Sequence, residues 1–227
     1  MRMQHAGLRV LVPSITALVL VWAAVALALS AGATADKANN PRSPDPASPP
    51  ETCNKIGCHT TLPATGCTGK VELLGLPGCY VAGQTYRLTV KITDANAQRW
   101  GFEVGAQYSE GNQFDFVSAG TVANIAGQGT QLVTSADGLR KFVTHDGANG
   151  GTKPGTAGPA SWDFNWTAPG GTDRQTKICF YVAGLAADDD GTRSGDCTYN
   201  TKVCLDPCGP VRTKGTSWGS LKTLYHH

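Results

Sequence analysis

The sequence predicts an all-β domain built as an antiparallel β-sandwich. Seven short runs have the composition of strands, clusters of Gly, Pro, Asn and Asp separate them, and no long helical periodicity appears. In the run TYRLTVKI, the side chains of Tyr86, Leu88, Val90 and Ile92 alternate with polar ones, which places them on one face of a strand. Several short strands with turn signals between them are typical of a sandwich.

The predicted strands follow one another along a single domain that we place at residues 52–206. The run SWDFNWTA puts Trp162, Phe164 and Trp166 on one face of another strand. The complete set of predicted strands is 70–76, 85–94, 99–108, 129–135, 139–145, 161–168 and 177–184. About 150 residues are enough for one hydrophobic core.

The segments on either side of this domain have different compositions. Residues 1–35 combine a basic start, an apolar run and small residues at Ala33 and Ala35, which predicts a signal peptide, with an uncleaved membrane anchor as the alternative. Residues 36–51 are rich in Pro, Asn, Ser and Ala, which indicates an extended linker. Residues 207–227 contain apolar residues three to four apart, which predicts a short C-terminal helix.

The signal peptide predicts an exported protein, located in the periplasm, on the cell surface or outside the cell. Its removal takes away Arg2 and Arg9 and no acidic residue, so the formal net charge falls from +2 to 0. A neutral chain with mixed charges has no electrostatic reason to bind nucleic acid or anionic lipid. No other segment is apolar enough to cross a membrane after signal cleavage.

All eight cysteines lie after the predicted signal peptide, and an oxidising compartment permits disulfides. The first two cysteines, Cys53 and Cys58, are separated by four residues, and His59 directly follows Cys58. The other six are disulfide candidates, namely Cys67, Cys79, Cys179, Cys197, Cys204 and Cys208. We expect Cys67 to pair with Cys79, and the four late cysteines to pair among themselves, although six cysteines allow fifteen pairings.

Several blocks of the chain resemble, in order, the Reeler-like domain family. They are GQTYRLTVKITD, RWGFEVGAQ, a Thr-His pair, SWDFNWTAP and FYVAG followed by DGTRSGD, and together they span about residues 52–200. The chain is most similar to the bacterial exported variety called the choice-of-anchor V domain. This resemblance implies an immunoglobulin-like sandwich, and it also implies a c-type haem motif, C-x-x-C-H, just ahead of the domain. Residues 52–60 occupy that place with four residues between the cysteines.

Two cysteines followed by a histidine have the chemistry of c-type haem attachment. Two thiols add to the vinyl groups of the haem, and the histidine beside the second thiol binds the iron. This predicts that Cys53 and Cys58 hold haem c covalently and that His59 is an axial ligand. The alternative is a Cys53–Cys58 disulfide with an exposed His59, since short-loop disulfides are common in secreted chains.

The second axial position can be assigned by residue type. Both methionines, Met1 and Met3, lie in the signal peptide, so methionine is excluded as a ligand. His145 precedes a glycine-rich loop and matches the Thr-His pair of the resembled family, which predicts it as the distal ligand. Its alternative role is a loop histidine that hydrogen-bonds at the end of a strand.

These residues predict an exported monohaem c-type cytochrome that passes electrons to a redox partner outside the cytoplasm. Two histidine ligands fill the coordination shell of the iron and suit electron transfer better than enzymatic turnover. The alternative function is a haem-free, disulfide-stabilised module for adhesion or structure at the cell surface. The acidic run AADDDGTRSGD also offers Asp188, Asp190 and Asp196 as oxygen ligands for calcium, with a solvated turn as the alternative.

Overall fold

The computed structural model describes residues 67–109, 117–135, 137–171, 176–192 and 195–209. These residues form nine strands and one short 3-10 helix, Gly147–Asn149. The strands are β1 (Lys70–Leu74), β2 (Thr85–Thr93), β3 (Arg99–Tyr108), β4 (Thr121–Asn124), β5 (Thr130–Thr134), β6 (Lys141–His145), β7 (Ala160–Thr167), β8 (Ile178–Ala187) and β9 (Cys197–Leu205). In this part of the chain, no helix has the length and hydropathy needed to cross a bilayer.

The strands form two sheets. One has four strands in the order β1-β2-β7-β4, and the other has five in the order β5-β6-β3-β8-β9. All the pairings between named strands are antiparallel. The first strand and the last strand each lie at the edge of their sheet, so the two ends of the domain come together along one side of the sandwich.

The core lies between the sheets and is filled by large apolar side chains. On β2, Leu88, Val90 and Ile92 are fully buried, as the alternation in TYRLTVKI predicts. On β7, Trp162, Phe164 and Trp166 are also fully buried, and register pairs each of them with a residue of β2. The opposite sheet contributes further side chains from β3 and β8, including Trp100, Phe102, Val104, Phe180 and Val182.

The predicted all-β antiparallel sandwich is confirmed. Each of the seven predicted strands is present, with ends that differ from the prediction by at most three residues. The sequence reading missed two strands, β4 and β9. Strand β4 is only four residues long, and in β9 the polar run Asn200, Thr201 and Lys202 interrupts the apolar residues. The predicted signal peptide, linker and haem segment, and nearly all of the tail with its helix, lie outside the described residues.

Candidate functional site: two disulfide clamps

The six cysteines beyond His59 form three disulfides in the structure. They are Cys67–Cys197, Cys79–Cys208 and Cys179–Cys204. The expected Cys67–Cys79 pair is therefore wrong, and of the late cysteines only two pair with each other. The reason is topological: β1 and β9 both lie at sheet edges on the same side of the sandwich, which brings early and late cysteines within reach.

The first clamp consists of Cys67–Cys197 and the hydrogen-bonded residues Gly69, Asp94 and Tyr199. The disulfide joins the residues just before β1 and at the start of β9, with Cα atoms 5.5 Å apart. The hydroxyl of Tyr199, on β9, donates to Asp94 Oδ2 and accepts from the backbone N–H of Gly69 at 3.1 Å. The Tyr199 side chain thus links β9 to the residue that follows β2 and to the residue that precedes β1, in the other sheet.

Gly69 is required in the first clamp for steric reasons. A Cβ atom at this position would lie 2.1 Å from the carbonyl oxygen of Thr93 and 2.8 Å from the Tyr199 hydroxyl. The backbone at the start of β1 therefore approaches β2 and β9 more closely than any side chain would allow. This close approach is what places the backbone N–H of Gly69 within reach of Tyr199.

The second clamp consists of Cys79–Cys208 and Tyr80, at the opposite end of β9. The backbone N–H of Cys208 donates to Tyr80 O at 2.8 Å, and the N–H of Tyr80 donates to Asp206 O at 3.1 Å. The Tyr80 ring is fully buried, and its hydroxyl donates to Thr176 O at 2.7 Å. Next to the disulfide, the backbone of Tyr80 therefore pairs with the segment after β9, and the Tyr80 ring packs in the core.

The third disulfide, Cys179–Cys204, links β9 to the interior strand β8. The two cysteines face each other directly in the antiparallel register of these strands. Cys179 is fully buried and Cys204 is exposed. The edge strand β9 is thus fixed covalently near both ends and again to its neighbour β8.

We expect Tyr199 to give the protein a specific sensitivity to alkaline pH. Burial, together with the hydrogen bond to Asp94, raises the pKa of Tyr199 from 10.0 to about 12. Below pH 10 the neutral phenol is present in both folded and unfolded chains, so its contribution to stability is complete. As pH rises from about 10 to about 12, the unfolded chain loses this proton first, and the free energy of unfolding falls.

The measurement is the free energy of unfolding of the wild type and of Tyr199→Phe between pH 9 and pH 12, by urea denaturation. Wild type should lose stability more steeply than the variant across this window, because only the wild type has the hydroxyl. Equal slopes for the two proteins would show that Tyr199 does not titrate as described.

His145 hydrogen-bonds to the neighbouring strand β3, and its role as an iron ligand stays a prediction from the sequence. It ends β6, and its Nδ1 accepts a hydrogen bond from the backbone N–H of Phe102 at 3.0 Å. Nδ1 also lies 3.2 Å from the carbonyl oxygen of Phe102, to which the tautomer with its proton on Nδ1 would donate. The ring also lies against Gly101, where a Cβ atom would come within 2.8 Å of it.

The Thr-His pair instead completes the pairing between β3 and β6. The ladder between these strands has only two residue pairs, Glu103 with Thr144 and Val104 with Val143. Beyond it, the Thr144 hydroxyl donates to Phe102 O at 2.7 Å, and His145 Nδ1 accepts from Phe102 N–H. Thr144 and His145 therefore hydrogen-bond to the carbonyl and the N–H of Phe102, beyond the last paired residues of the two strands. A strand-end hydrogen bond is the alternative role predicted for His145 from the sequence.

Thr144→Val should destabilise the protein by about 1–3 kcal/mol. The substitution keeps the shape of the side chain but removes the donor to the buried carbonyl of Phe102, which is left without this partner. Thr130→Val is the matched control, because the Thr130 hydroxyl on neighbouring β5 is buried without a hydrogen-bond partner. Urea denaturation should find the control unchanged or slightly more stable. Equal losses in both variants would contradict this role of Thr144.

The prediction of an electron-transferring cytochrome is wrong. Among the described residues, no group of three or more His, Cys, Asp or Glu side chains is arranged to hold a metal ion. His145, the predicted distal ligand, hydrogen-bonds to the backbone of β3. The cysteines that the structure describes all serve as cross-links, which is the pattern of the alternative, a disulfide-stabilised module. Cys53, Cys58 and His59 lie outside the described residues.

The acidic run after β8 forms a tight turn held by its own carboxylates. Asp188 Oδ1 accepts from the N–H of Asp190 at 3.2 Å, and Asp190 Oδ1 accepts from the N–H of Thr192 at 2.7 Å. This bond from Thr192 lowers the pKa of Asp190. Asp196, directly before β9, is buried and only 2% exposed. Calcium binding by Asp188, Asp190 and Asp196 stays a prediction from the sequence.

Sequence reasoning missed the two tyrosines that complete the clamps. Tyr80 directly follows Cys79, and Tyr199 lies two residues after Cys197. A signal was available for Tyr199, because Cys197, Tyr199 and Val203 fall on alternate positions of one strand. Tyr80 gives no such signal, since it forms an isolated bridge with Pro207 rather than part of a long strand.

Comparison with known proteins finds structural neighbours only at low similarity. No protein-family model and no curated protein matches the chain. The human F-spondin reeler domain is similar at 16% identity and a TM-score of 0.38, over 62% of this chain and 92% of that one. AvmM, which catalyses macrocyclization in alchivemycin A biosynthesis, is similar at 14% identity and a TM-score of 0.39, over 65% and 93%. Domains D2 and D3 of the major pilin SpaD from Corynebacterium diphtheriae reach 13% identity and 0.37, over 60% and 51%.

The identities and TM-scores of these neighbours are too low to assign this chain to any of them. The fold is established by the strands and sheets themselves.

Proposed function

We propose that this chain is an exported, haem-free structural module of the cell surface or the extracellular space. The observation that supports the proposal is the pair of clamps, which join the beginning and the end of the sandwich covalently. Disulfides of this kind form and persist in oxidising compartments. The basic and apolar start of the sequence, which we interpret as a signal peptide, supplies the route to such a compartment.

The polar contacts on the four-stranded sheet also serve to hold strands together. Asp163 on β7 accepts from Arg87 Nη2 at 2.5 Å and from Thr89 Oγ1 at 2.6 Å, both on neighbouring β2. The hydrogen bond from Thr89, the largest contribution, lowers the pKa of Asp163. A cross-strand network of this kind adds to sheet stability, and it supports a structural role for the sandwich.

The family assignment is part of the same proposal. The ordered blocks from GQTYRLTVKITD to DGTRSGD support a Reeler-like domain of the choice-of-anchor V type. Nine antiparallel strands in two sheets are compatible with that assignment. The structural neighbours add no weight to it, for the reasons given above.

The proposal is tested on the full chain expressed for export in a host that also has the machinery for c-type haem attachment. We expect the purified protein to be colourless in the visible range, and peptide mapping without reduction to recover the three disulfides of the structure. A haem absorbance that survives denaturation would overturn the proposal. Recovery of the six cysteines as free thiols in the exported protein would also overturn it.

A further inference from the structure

We infer that the two clamps shield the core of this sandwich from force applied through its flanking segments. The inference rests on the proposed function, since the disulfides that carry it form and persist in the oxidising compartments outside the cytoplasm. The main chain enters the described domain at Cys67 and leaves it just after Cys208. Both residues are disulfide-bonded, so any pull on the flanking segments meets a covalent cross-link immediately.

The path that bears the load is therefore short. Force entering at residue 66 passes through Cys67–Cys197 and then along β9, or along the segment containing β1 and through Cys79–Cys208. Each route contains about 15 residue steps and spans at most about 50 Å when fully extended. The main chain between residues 66 and 210 would span about 520 Å if both disulfides were absent. The strands β2 to β8 lie between the clamps and outside both routes.

The direction of pull along this path also resists opening. The clamps lie at opposite ends of β9, about 30 Å apart at the usual rise per residue. A pull between them is parallel to β9, whose pairing with β8 runs without a break from Cys197 to Leu205. The load therefore stays in the covalent backbone of β9, and the hydrogen bonds to β8 hold this strand in place without carrying the load. Cys179–Cys204 adds a covalent tie between β9 and β8.

The inference is tested by single-molecule force spectroscopy on the full chain, held between handle domains fused to the two ends of its exported form. The oxidised wild type should lengthen by no more than about 20 Å beyond its folded length, apart from the constant stretch of the flanking segments. After reduction with dithiothreitol, the same chain should extend about 490 Å beyond the folded length, with or without a discrete unfolding event, because no cross-link then limits it. A release of that size from the oxidised protein would overturn the inference.

Variants identify which bonds shield the core. Cys67→Ser with Cys197→Ser should keep the short extension, and so should Cys79→Ser with Cys208→Ser, because either clamp closes a short path. Cys179→Ser with Cys204→Ser should also keep it. The four substitutions of both clamps together should release the long extension. If removal of a single clamp already releases it, the two-route path is wrong.

An insertion gives a test that does not depend on the folding of cysteine variants. Gly127 lies in the turn between β4 and β5, where nothing occupies the space within 4 Å of a Cβ atom. About 20 Gly and Ser residues inserted there should leave the extension of the oxidised protein unchanged, since the turn lies off the path. The same insertion after Gly209 should add about 70 Å. Added length from the insertion at Gly127 would show that force passes through the core, while a colourless, disulfide-bonded protein would still support the proposed function.

Discussion

Removing both clamps should lower the free energy of unfolding by about 8.5 kcal/mol, a loss comparable to the whole stability of many domains. A cross-link stabilises the folded state chiefly by restricting the unfolded chain, and more so for longer loops. Cys67–Cys197 and Cys79–Cys208 join residues 130 and 129 positions apart, so either bond alone closes nearly the whole domain into a loop. Alone, such a bond contributes about 5 kcal/mol in the chain-entropy description.

Removal of the first clamp should lower the free energy of unfolding less than removal of the second, whichever clamp is removed first. With one clamp present, the other closes only a remaining loop of about 25 residues, which contributes about 3.5 kcal/mol. We therefore expect either single removal, as a pair of Cys→Ala substitutions, to lower stability by about 3.5 kcal/mol. Removal of the second clamp should lower it by about 5 kcal/mol more. Urea denaturation without reductant provides the measurement, and a loss below about 1 kcal/mol for either single removal would contradict the pairing.

Trp166→Ala should be the most destabilising single substitution in the core, with a loss of about 4–5 kcal/mol. The Trp166 ring is fully buried on β7, stacked against Tyr86 at 5.7 Å and edge-on to Phe180 at 4.9 Å and Tyr80 at 6.0 Å. It therefore fills the space between both sheets and the second clamp. Its Nε1 also donates to the buried carbonyl of Ala119 at 2.8 Å, which alanine would leave without this partner.

Trp166→Phe is the matched control for this prediction. Phenylalanine retains an aromatic ring in the core but cannot donate to Ala119 O, so its loss should be about 1–3 kcal/mol. Unfolding followed by far-ultraviolet circular dichroism avoids the change in tryptophan fluorescence. If both variants lose the same stability, the hydrogen bond and not the ring volume dominates at this position, and the packing argument fails.

Much of the sandwich could be predicted because strand periodicity is a local property. Leu88, Val90 and Ile92 alternate with polar residues over a few positions, and all three are buried. The same holds for Trp162, Phe164 and Trp166 on β7. Strands with a strong apolar face are therefore identifiable one at a time, whereas an edge strand such as β9 has exposed polar side chains on much of its length and gives a weak pattern.

The role of His145 could not be predicted from residue type. A histidine before a glycine-rich loop is compatible with metal binding and with a strand-end hydrogen bond, since its two ring nitrogens can serve either purpose. The choice depends on what faces Nδ1. In the folded chain this is the N–H of Phe102, on a strand more than 40 residues earlier. Residue type alone does not contain this long-range contact.

By itself, the sequence determined that the chain forms an all-β antiparallel sandwich with one core, because the identity of neighbouring residues decides which face of a strand is apolar. Only the tertiary structure decided how the cysteines pair. Cys67 and Cys79 are near each other in the chain, yet each bonds a partner about 130 residues away. The physical reason is that disulfide formation requires Cα atoms within about 7 Å, and this distance is set by the two edge strands that the fold brings together.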